Sequence, residues 1–312
     1  MSRQDLELND DNYLVMYTIT SEDLRPISDK DYKCAPSKKF EDWSCIPLNS
    51  LMAMADAFNQ ENPKNKIRVD HKYAKTKPDR YKRYLLKQFK LKFKKCTDQI
   101  CWTKQSFMKR LNNSIKDDLK DNTFLPEGPN KGNKWLDSEN IKKSLKQKEY
   151  VYPEFKSFGA VPYDFNDFEE YGTKNLNFQR DLLDKGKTKI GLIINLDRHN
   201  QSGSHWVAIY ADFNSGESYY FDSYGLEPDL SEEDDKKEIT KFMNRINDFI
   251  KKLGKKPITG HNTKQHQKGG SECGVYSLSF IYRLLRGDSF DNINNNRVPD
   301  ADVNKCRDYY FA

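Results

Sequence analysis

The spacing of apolar positions changes character along the chain, and the change divides it. Residues 51–58 are Leu, Met, Ala and Phe around a single Asp56, a set of strong helix formers that predicts a helix packed by its large side chains. A break at Asn62 and Pro63 follows. Pro78 then opens a second helix running to about Lys95, with Tyr81, Tyr84, Leu85 and Phe89 on its packed side and Lys82, Lys87, Lys90 and Lys94 toward solvent. A third helix over about 104–111 completes an all-helical N-terminal unit. Upstream, residues 1–30 are polar and mostly acidic, with 13–19 the one stretch that reads as a strand or short helix. Prolines, glycines and asparagines crowd residues 121–132, so the boundary is drawn there: a basic, mainly helical domain over 1–121 and a second domain over 122–312.

In the second half the period alternates between helical and strand values. Residues 135–147 read as a helix with Asp137 or Ser138 as N-cap and Ile141 and Leu145 buried. Aromatics fill 150–171, where Pro153 and Pro162 interrupt any long element. The β-branched run 189–196 predicts a central strand, with the alternating run 204–213 paired beside it. A turn at 214–217 leads to a second strand over 218–222. Ser231 and Asp234 resemble a capping box before a helix whose apolar face is Ile239, Phe242, Met243, Ile246, Phe249, Ile250 and Leu253, ended by Gly254. Residues 257–259 read as a further strand. Val275, Leu278, Ile281, Tyr282 and Leu285 then mark a buried helix that stops at Gly287.

Composition narrows the class. Of 312 residues, 36% are hydrophobic and 13% aromatic, and no apolar run approaches the roughly 20 residues that cross a bilayer. The N-terminus carries no apolar segment of the kind that directs secretion, so a globular protein inside a cell or virion, without membrane contact, is expected. Cys34, Cys45, Cys96, Cys101, Cys273 and Cys306 are sparse for the length and read as ordinary thiols of a reducing compartment. A zinc site from Cys34, Cys45, Cys96 and Cys101 is the alternative, although neither pair has Cys-x-x-Cys spacing. Residues 64–95 hold fourteen Lys or Arg against Asp70 and Asp79, a net of +12 that leaves the rest of the chain at −6. Tyr73, Tyr81, Tyr84, Phe89 and Phe93 are interleaved with these charges. The block fits a solvated helix face, or a contact with nucleic acid or an acidic partner.

The residues that carry chemistry gather around Cys273. It stands behind Gly269 and Gly270 at the start of the buried helix, where unpaired N–H groups and the helix dipole favour a thiolate. The plain alternative is a small buried cysteine at a helix start. A nucleophile needs a base and an orienting group. His205 opens one strand of the predicted hairpin and Asp222 closes the other, so the hairpin brings them together and leaves one imidazole nitrogen for Cys273. Gln267, six residues before the cysteine, can donate a side-chain N–H to an oxyanion, with the Cys273 N–H as second donor. His266 rivals His205, Asp212 rivals Asp222, and Gln265 rivals Gln267. His71, His199 and His261 have no such company.

Four features together resemble the ubiquitin-like-protein proteases, the cysteine protease family of SUMO proteases, adenovirus protease and maturation proteases of large DNA viruses. They are His205 followed by Trp206, Asp222 seventeen residues after that His, Gln267 six residues before Cys273, and Cys273-Gly274 at a helix start. A fifth is Trp135-Leu136-Asp137-Ser138-Glu139-Asn140-Ile141, similar to the family's Trp-Leu-Asn-Asp-x-x-Ile but with Asp137 in place of the first Asn. The resemblance covers roughly residues 124–312, and 124–129 and 159–165 are most like the viral branch. It implies an α+β fold with a papain-like, adenovirus-protease-like core, a mixed central sheet flanked by helices, here with a helical N-terminal extension. It also implies that Trp206 and Trp135 close over the substrate and admit only glycine or another small residue before the scissile bond. No metal or organic cofactor is implied. The activity expected is a cysteine endopeptidase with a Cys273-His205-Asp222 triad, processing viral structural precursors in the virion or host cytoplasm. Deconjugation of ubiquitin-like modifiers is the first alternative. An acyltransferase on the same fold, which tends to carry Glu where Asp222 stands, and a nucleic-acid-binding protein are the others.

Overall fold

The computed structural model describes residues 28–129, 134–230, 232–233 and 236–312. Residues 13–19, and Ser231 and Asp234 of the expected capping box, lie outside the described residues. The chain divides into two compact units, Met1–Leu125 and Pro126–Ala312.

The first unit is built on α1 (Leu48–Glu61), α2 (His71–Thr76), α3 (Pro78–Lys92) and α4 (Asn113–Asp121). Pro78 sits in the first turn of α3, where its missing N–H leaves no bond unmade. Tyr81, Tyr84, Leu85 and Phe89 are fully buried, and Phe89 stacks on Trp102 with ring centroids 5.7 Å apart. The helix expected over 104–111 is instead two short 3-10 helices, Ile100–Lys104 and Ser106–Arg110. Gln105 separates them in an extended conformation, its side-chain amide donating to the Cys101 carbonyl at 2.9 Å. Helix α4 follows where none was expected; it buries only Leu119, so its apolar signal is weak, and Asn112 caps it by accepting from the Ile115 N–H.

Two expectations for this unit are corrected. Lys82 does not face solvent: it is 7% exposed, and its ammonium donates to the carbonyls of Glu41 and Ser44 at 2.6 and 3.1 Å. Positive φ angles at Asp42 and Trp43 turn the 41–44 loop there, and burial pulls the Lys82 pKa below its ordinary value despite the nearby Asp42 and Glu41. Nor are the unit's four cysteines free thiols or zinc ligands. Cys34 pairs with Cys45 and Cys96 with Cys101, at Cα separations of 5.3 and 5.5 Å, within the range a disulfide spans.

The second unit is a five-stranded sheet in the order β1 (Phe155–Val161), β2 (Lys189–Asn195), β3 (Trp206–Asp212), β4 (Glu217–Phe221) and β5 (Ile258–His261). The outer pairs β1/β2 and β4/β5 are parallel and the inner ones antiparallel, so the sheet is mixed, as the family resemblance implies. The 189–196 run is the interior strand β2, although the middle of the sheet is β3. Side chains alternate across β3 with period two. Trp206, Ala208 and Tyr210 face a core shared with α5 (Ser138–Val151) and α8 (Cys273–Leu285), while Val207, Ile209 and Ala211 face α7 (Glu238–Lys252). A short α6 (Phe178–Asp181) adds Phe178 to the α7 side. After α8 come α9 (Phe290–Asn295), α10 (Asp300–Lys305) and α11 (Arg307–Tyr310). Eleven of the thirteen residues of α8 are buried, so it runs through the interior and its first residue is held by packing on all sides. Among the described residues, no helix is long and apolar enough to cross a membrane.

Candidate active site

Cys273 is the first residue of α8, with its side chain 2% exposed, at the helix end whose N–H groups have no intrahelical acceptor. His205 lies one residue before β3, where its carbonyl accepts the Leu196 N–H at 2.9 Å and extends the pairing with β2. Asp222 lies one residue beyond β4. The β3–β4 hairpin closes at Asp212 opposite Glu217, with Gly216 supplying the positive φ the turn requires, so its two open ends emerge side by side. His205 Nε2 is 2.7 Å from Asp222 Oδ1, and the imidazole also interacts with the Cys273 side chain. Burial alone would lower the His205 pKa; the bonds to Asp222 and Cys273 outweigh it and push it up to about 9.

Several supporting residues escaped the sequence reading. Asn262 accepts the Asp222 N–H at 2.8 Å and donates to the Asp222 carbonyl at 2.6 Å, clamping that backbone from both sides. Asp222 Oδ1 also accepts the Tyr224 N–H at 2.8 Å, and the Gly225 N–H bonds the Asp222 carbonyl with Gly225 at positive φ. Asp222-Ser-Tyr-Gly225 is thus a turn with Asp first and Gly last, a signal the sequence does carry. Gln267 is fully buried; its Oε1 accepts the Ser223 hydroxyl at 2.7 Å and its Nε2 donates to the Gly269 carbonyl at 2.9 Å. Among the described residues, its amide otherwise makes a long 3.4 Å contact to the Tyr224 hydroxyl.

The profile of the Ulp1 protease family, C-terminal catalytic domain, matches residues 172–312. A protein of Acanthamoeba polyphaga mimivirus named "Putative thiol protease" is 39% identical over 288 residues, covering 89% of this chain and 92% of its own. The chain belongs to the Ulp1 protease family. A second relative, the SUMO-1 cysteine protease of African swine fever virus, is 27% identical over 203 residues, 60% of this chain and 71% of that one. The crystal structure of the African swine fever virus protease matches with a TM-score of 0.59 at 20% identity, covering 91% of this chain and 97% of the other; this likeness concerns the fold. As a Ulp1-family member the chain is a cysteine protease by class, and both named relatives are viral.

Other residues singled out from the sequence fall into distinct places. Trp206 is only 4% exposed, and its indole N–H donates to the Leu136 carbonyl at 2.9 Å, which ties it to the Trp135-Leu136 segment. Its edge borders a cleft of about 310 Å³ shared with Ser138, Pro162, Asn195, His199 and Gly203. Trp135 is 46% exposed. Asp137, the departure from the Ulp1-type segment, caps α5: its Oδ1 accepts the Asn140 N–H at 2.7 Å, while Asn140 Oδ1 accepts the Asp137 N–H at 3.1 Å. Asp212 sits at the far end of β3, bonded to the Asn214 N–H, and does not meet His205. His266 is buried edge-on against Phe221 and Tyr276, and burial lowers its pKa. The Gln265 side chain donates to the Gln267 carbonyl. His199 is held by Asp164, with Nδ1 2.7 Å from Oδ2.

Proposed function

We propose that this protein is a cysteine endopeptidase that cleaves after glycine or another small residue in precursors of virion structural proteins, in the virion or the host cytoplasm. One observation carries the reading: an imidazole bonded to Asp222 at 2.7 Å on Nε2, whose other side-chain partner is Cys273. A carboxylate only accepts, so Nε2 carries the proton and Nδ1 is left to take the thiol's. The Cys273 thiolate attacks the carbonyl carbon, and negative charge develops on the carbonyl oxygen. The Cys273 N–H and the Gln267 N–H not given to Gly269 would stabilise it. His205 returns its proton to the leaving amine as the C–N bond breaks. Water, deprotonated by His205, then hydrolyses the thioester and regenerates the thiol. A His205 pKa near 9 supports this order, since the ring holds its proton at neutral pH until the amine departs. The cleft beside Trp206 offers a path for an extended protein chain, and Trp135, exposed next to the Leu136 carbonyl that Trp206 bonds, is the proposed filter for small residues.

Removal of a ubiquitin-like modifier is the second reading, supported by the name of the African swine fever virus relative. Both readings share the chemistry and differ in substrate. The test is mass-spectrometric cleavage of a Gly-Gly peptide library, run beside folded ubiquitin-like fusions. Cys273→Ala and His205→Ala should abolish turnover, and Gln267→Ala should cost about 10²–10³ in kcat. Cleavage of peptides and precursor fragments but not fusions favours the first reading. Normal turnover by Cys273→Ala would remove both.

A further inference from the structure

One carboxylate outside the reacting groups has an unusual set of partners. Asp300 opens α10, yet its side chain is spent on the loop between β5 and α8. Its Oδ2 accepts the Gly269 N–H at 2.7 Å and the Lys268 N–H at 3.0 Å, and its Oδ1 accepts the Tyr276 hydroxyl at 2.7 Å. Arg297 lies 3.6 Å from the same carboxylate. Burial raises the Asp300 pKa, but these bonds and Arg297 outweigh it and hold the group below the usual carboxylate range. Charge-assisted bonds of this kind are roughly twice as strong as neutral ones.

The segment so gripped needs a grip. Lys268, Gly269 and Gly270 are exposed, and a Gly-Gly pair loses more backbone freedom on ordering than any other dipeptide. A Cβ on Gly269 would stand 2.6 Å from Glu272 Oε2 and 3.4 Å from Asp300 Oδ2, so a larger residue there would displace the Glu272 carboxylate. The Gly269 carbonyl in turn accepts one amide N–H of Gln267, the side chain whose direction matters. At the other end of the segment, Asn304 donates to Glu272 Oε1 at 3.0 Å and Arg307 to the Ser271 carbonyl at 3.2 Å. The C-terminal helices α10 and α11 therefore hold both ends of the chain that joins Gln267 to Cys273.

We propose that Asp300 is a positioning residue for the oxyanion site: it fixes Lys268 and Gly269, and through the Gly269 carbonyl it aims the Gln267 amide. The inference rests on the Gln267 role proposed above. Asp300 touches no reacting atom, so removing it should disturb the stabilisation of the oxyanion and leave the thiol's own reactivity alone.

The test uses the full chain and three readouts: kcat and KM on a Gly-Gly peptide, affinity for a peptide aldehyde ending in glycine, and the rate of Cys273 alkylation by iodoacetamide. The aldehyde adduct needs the oxyanion donors; alkylation does not. Asp300→Ala should lower kcat and aldehyde affinity by the same factor, about tenfold or more if an oxyanion donor is misdirected, with KM and alkylation rate within about twofold of the unaltered chain. Asp300→Asn, which keeps one acceptor oxygen, should lose less. In a Gln267→Ala background Asp300→Ala should add little, since both act through one group. Fully multiplicative losses, or unchanged kcat in Asp300→Ala, would overturn the proposal. Should Asp300→Ala fail to fold, Tyr276→Phe removes one support of the carboxylate and should show the same signature at smaller size; an unchanged kcat and aldehyde affinity there would overturn it equally. Turnover surviving Cys273→Ala is a different failure, that of the protease reading itself.

Discussion

Tyr224 stacks on His205, with ring centroids 4.7 Å apart and planes inclined by 24°. The same residue donates its backbone N–H to Asp222, so it braces both the imidazole and the group that orients it. The face of a phenol is a favourable neighbour for a ring that carries charge at neutral pH. Tyr224→Ala should therefore lower kcat about fivefold, the equivalent of roughly 1 kcal/mol of cation–π contact. Tyr224→Phe keeps the ring and should stay near full activity. Initial rates on one peptide decide it: equal rates for the Ala and Phe variants would remove the stacking from the mechanism.

The titration of His205 offers an independent check. Its folded pKa of about 9 lies above the ordinary 6.5, so the charged ring contributes stability that is complete below pH 6.5 and is lost as pH rises through 9. Replacing Asp222 with Asn removes the leading group that raises this pKa, and the midpoint should move down toward 6.5. Following the His205 ring protons by NMR from pH 5 to 10 tests both statements. A midpoint near 6.5 in the unaltered chain, or one that ignores the substitution, would contradict them.

What the sequence disclosed and what it hid follow from how far each signal reaches. The strands and helices around Cys273 are legible because a two-residue or 3.6-residue period survives in one dimension, and the hairpin needs only its turn to bring positions 205 and 222 together. Asn262, Ser223 and Asp300 carry no such mark. Their bonds depend on the path of the 262–272 loop, which has no period and is set by tertiary contacts. Lys82 misled for a related reason: charge predicts exposure, and only the turned 41–44 loop supplies carbonyls to receive an ammonium inside. The pairings of Cys34 with Cys45 and Cys96 with Cys101 are equally unmarked, since spacings of eleven and five residues fit free thiols as well as bonded ones.

Selection of small residues is expected to depend on Trp135 more cleanly than on Trp206. Trp206 is part of the core, and its loss would cost on the order of 3–5 kcal/mol of stability, which confounds kinetics. Trp135 is half exposed, so Trp135→Ala should leave thermal stability nearly unchanged while raising KM and relaxing the preference for glycine before the scissile bond. Peptide pairs differing only by Gly or Leu at that position measure this. Equal cleavage of both by the unaltered enzyme would dispose of the tryptophan filter.

The basic segment 64–95 remains a proposed docking face for nucleic acid or acidic precursors, with Lys82 no longer part of it. Lys72, Lys75, Lys77 and Lys94 are exposed and carry the test. Binding should weaken with salt at a log–log slope of about −0.7 to −0.9 per phosphate neutralised. Reversal of these four charges should reduce binding and processing of large substrates and spare a short peptide. Salt-insensitive, negligible binding with unchanged processing would reduce the face to a solvated surface.

The central claim is that Cys273, activated by His205, is the nucleophile. Among the described residues the free thiols are Cys273 and Cys306, which makes the measurement simple: limited iodoacetamide treatment at pH 7, peptide mapping of both sites, and residual cleavage activity on the same samples. The account predicts that loss of activity tracks the fraction of Cys273 alkylated, one for one, and that His205→Ala slows that alkylation sharply while Cys306 is unaffected. Full activity with Cys273 fully alkylated would contradict it.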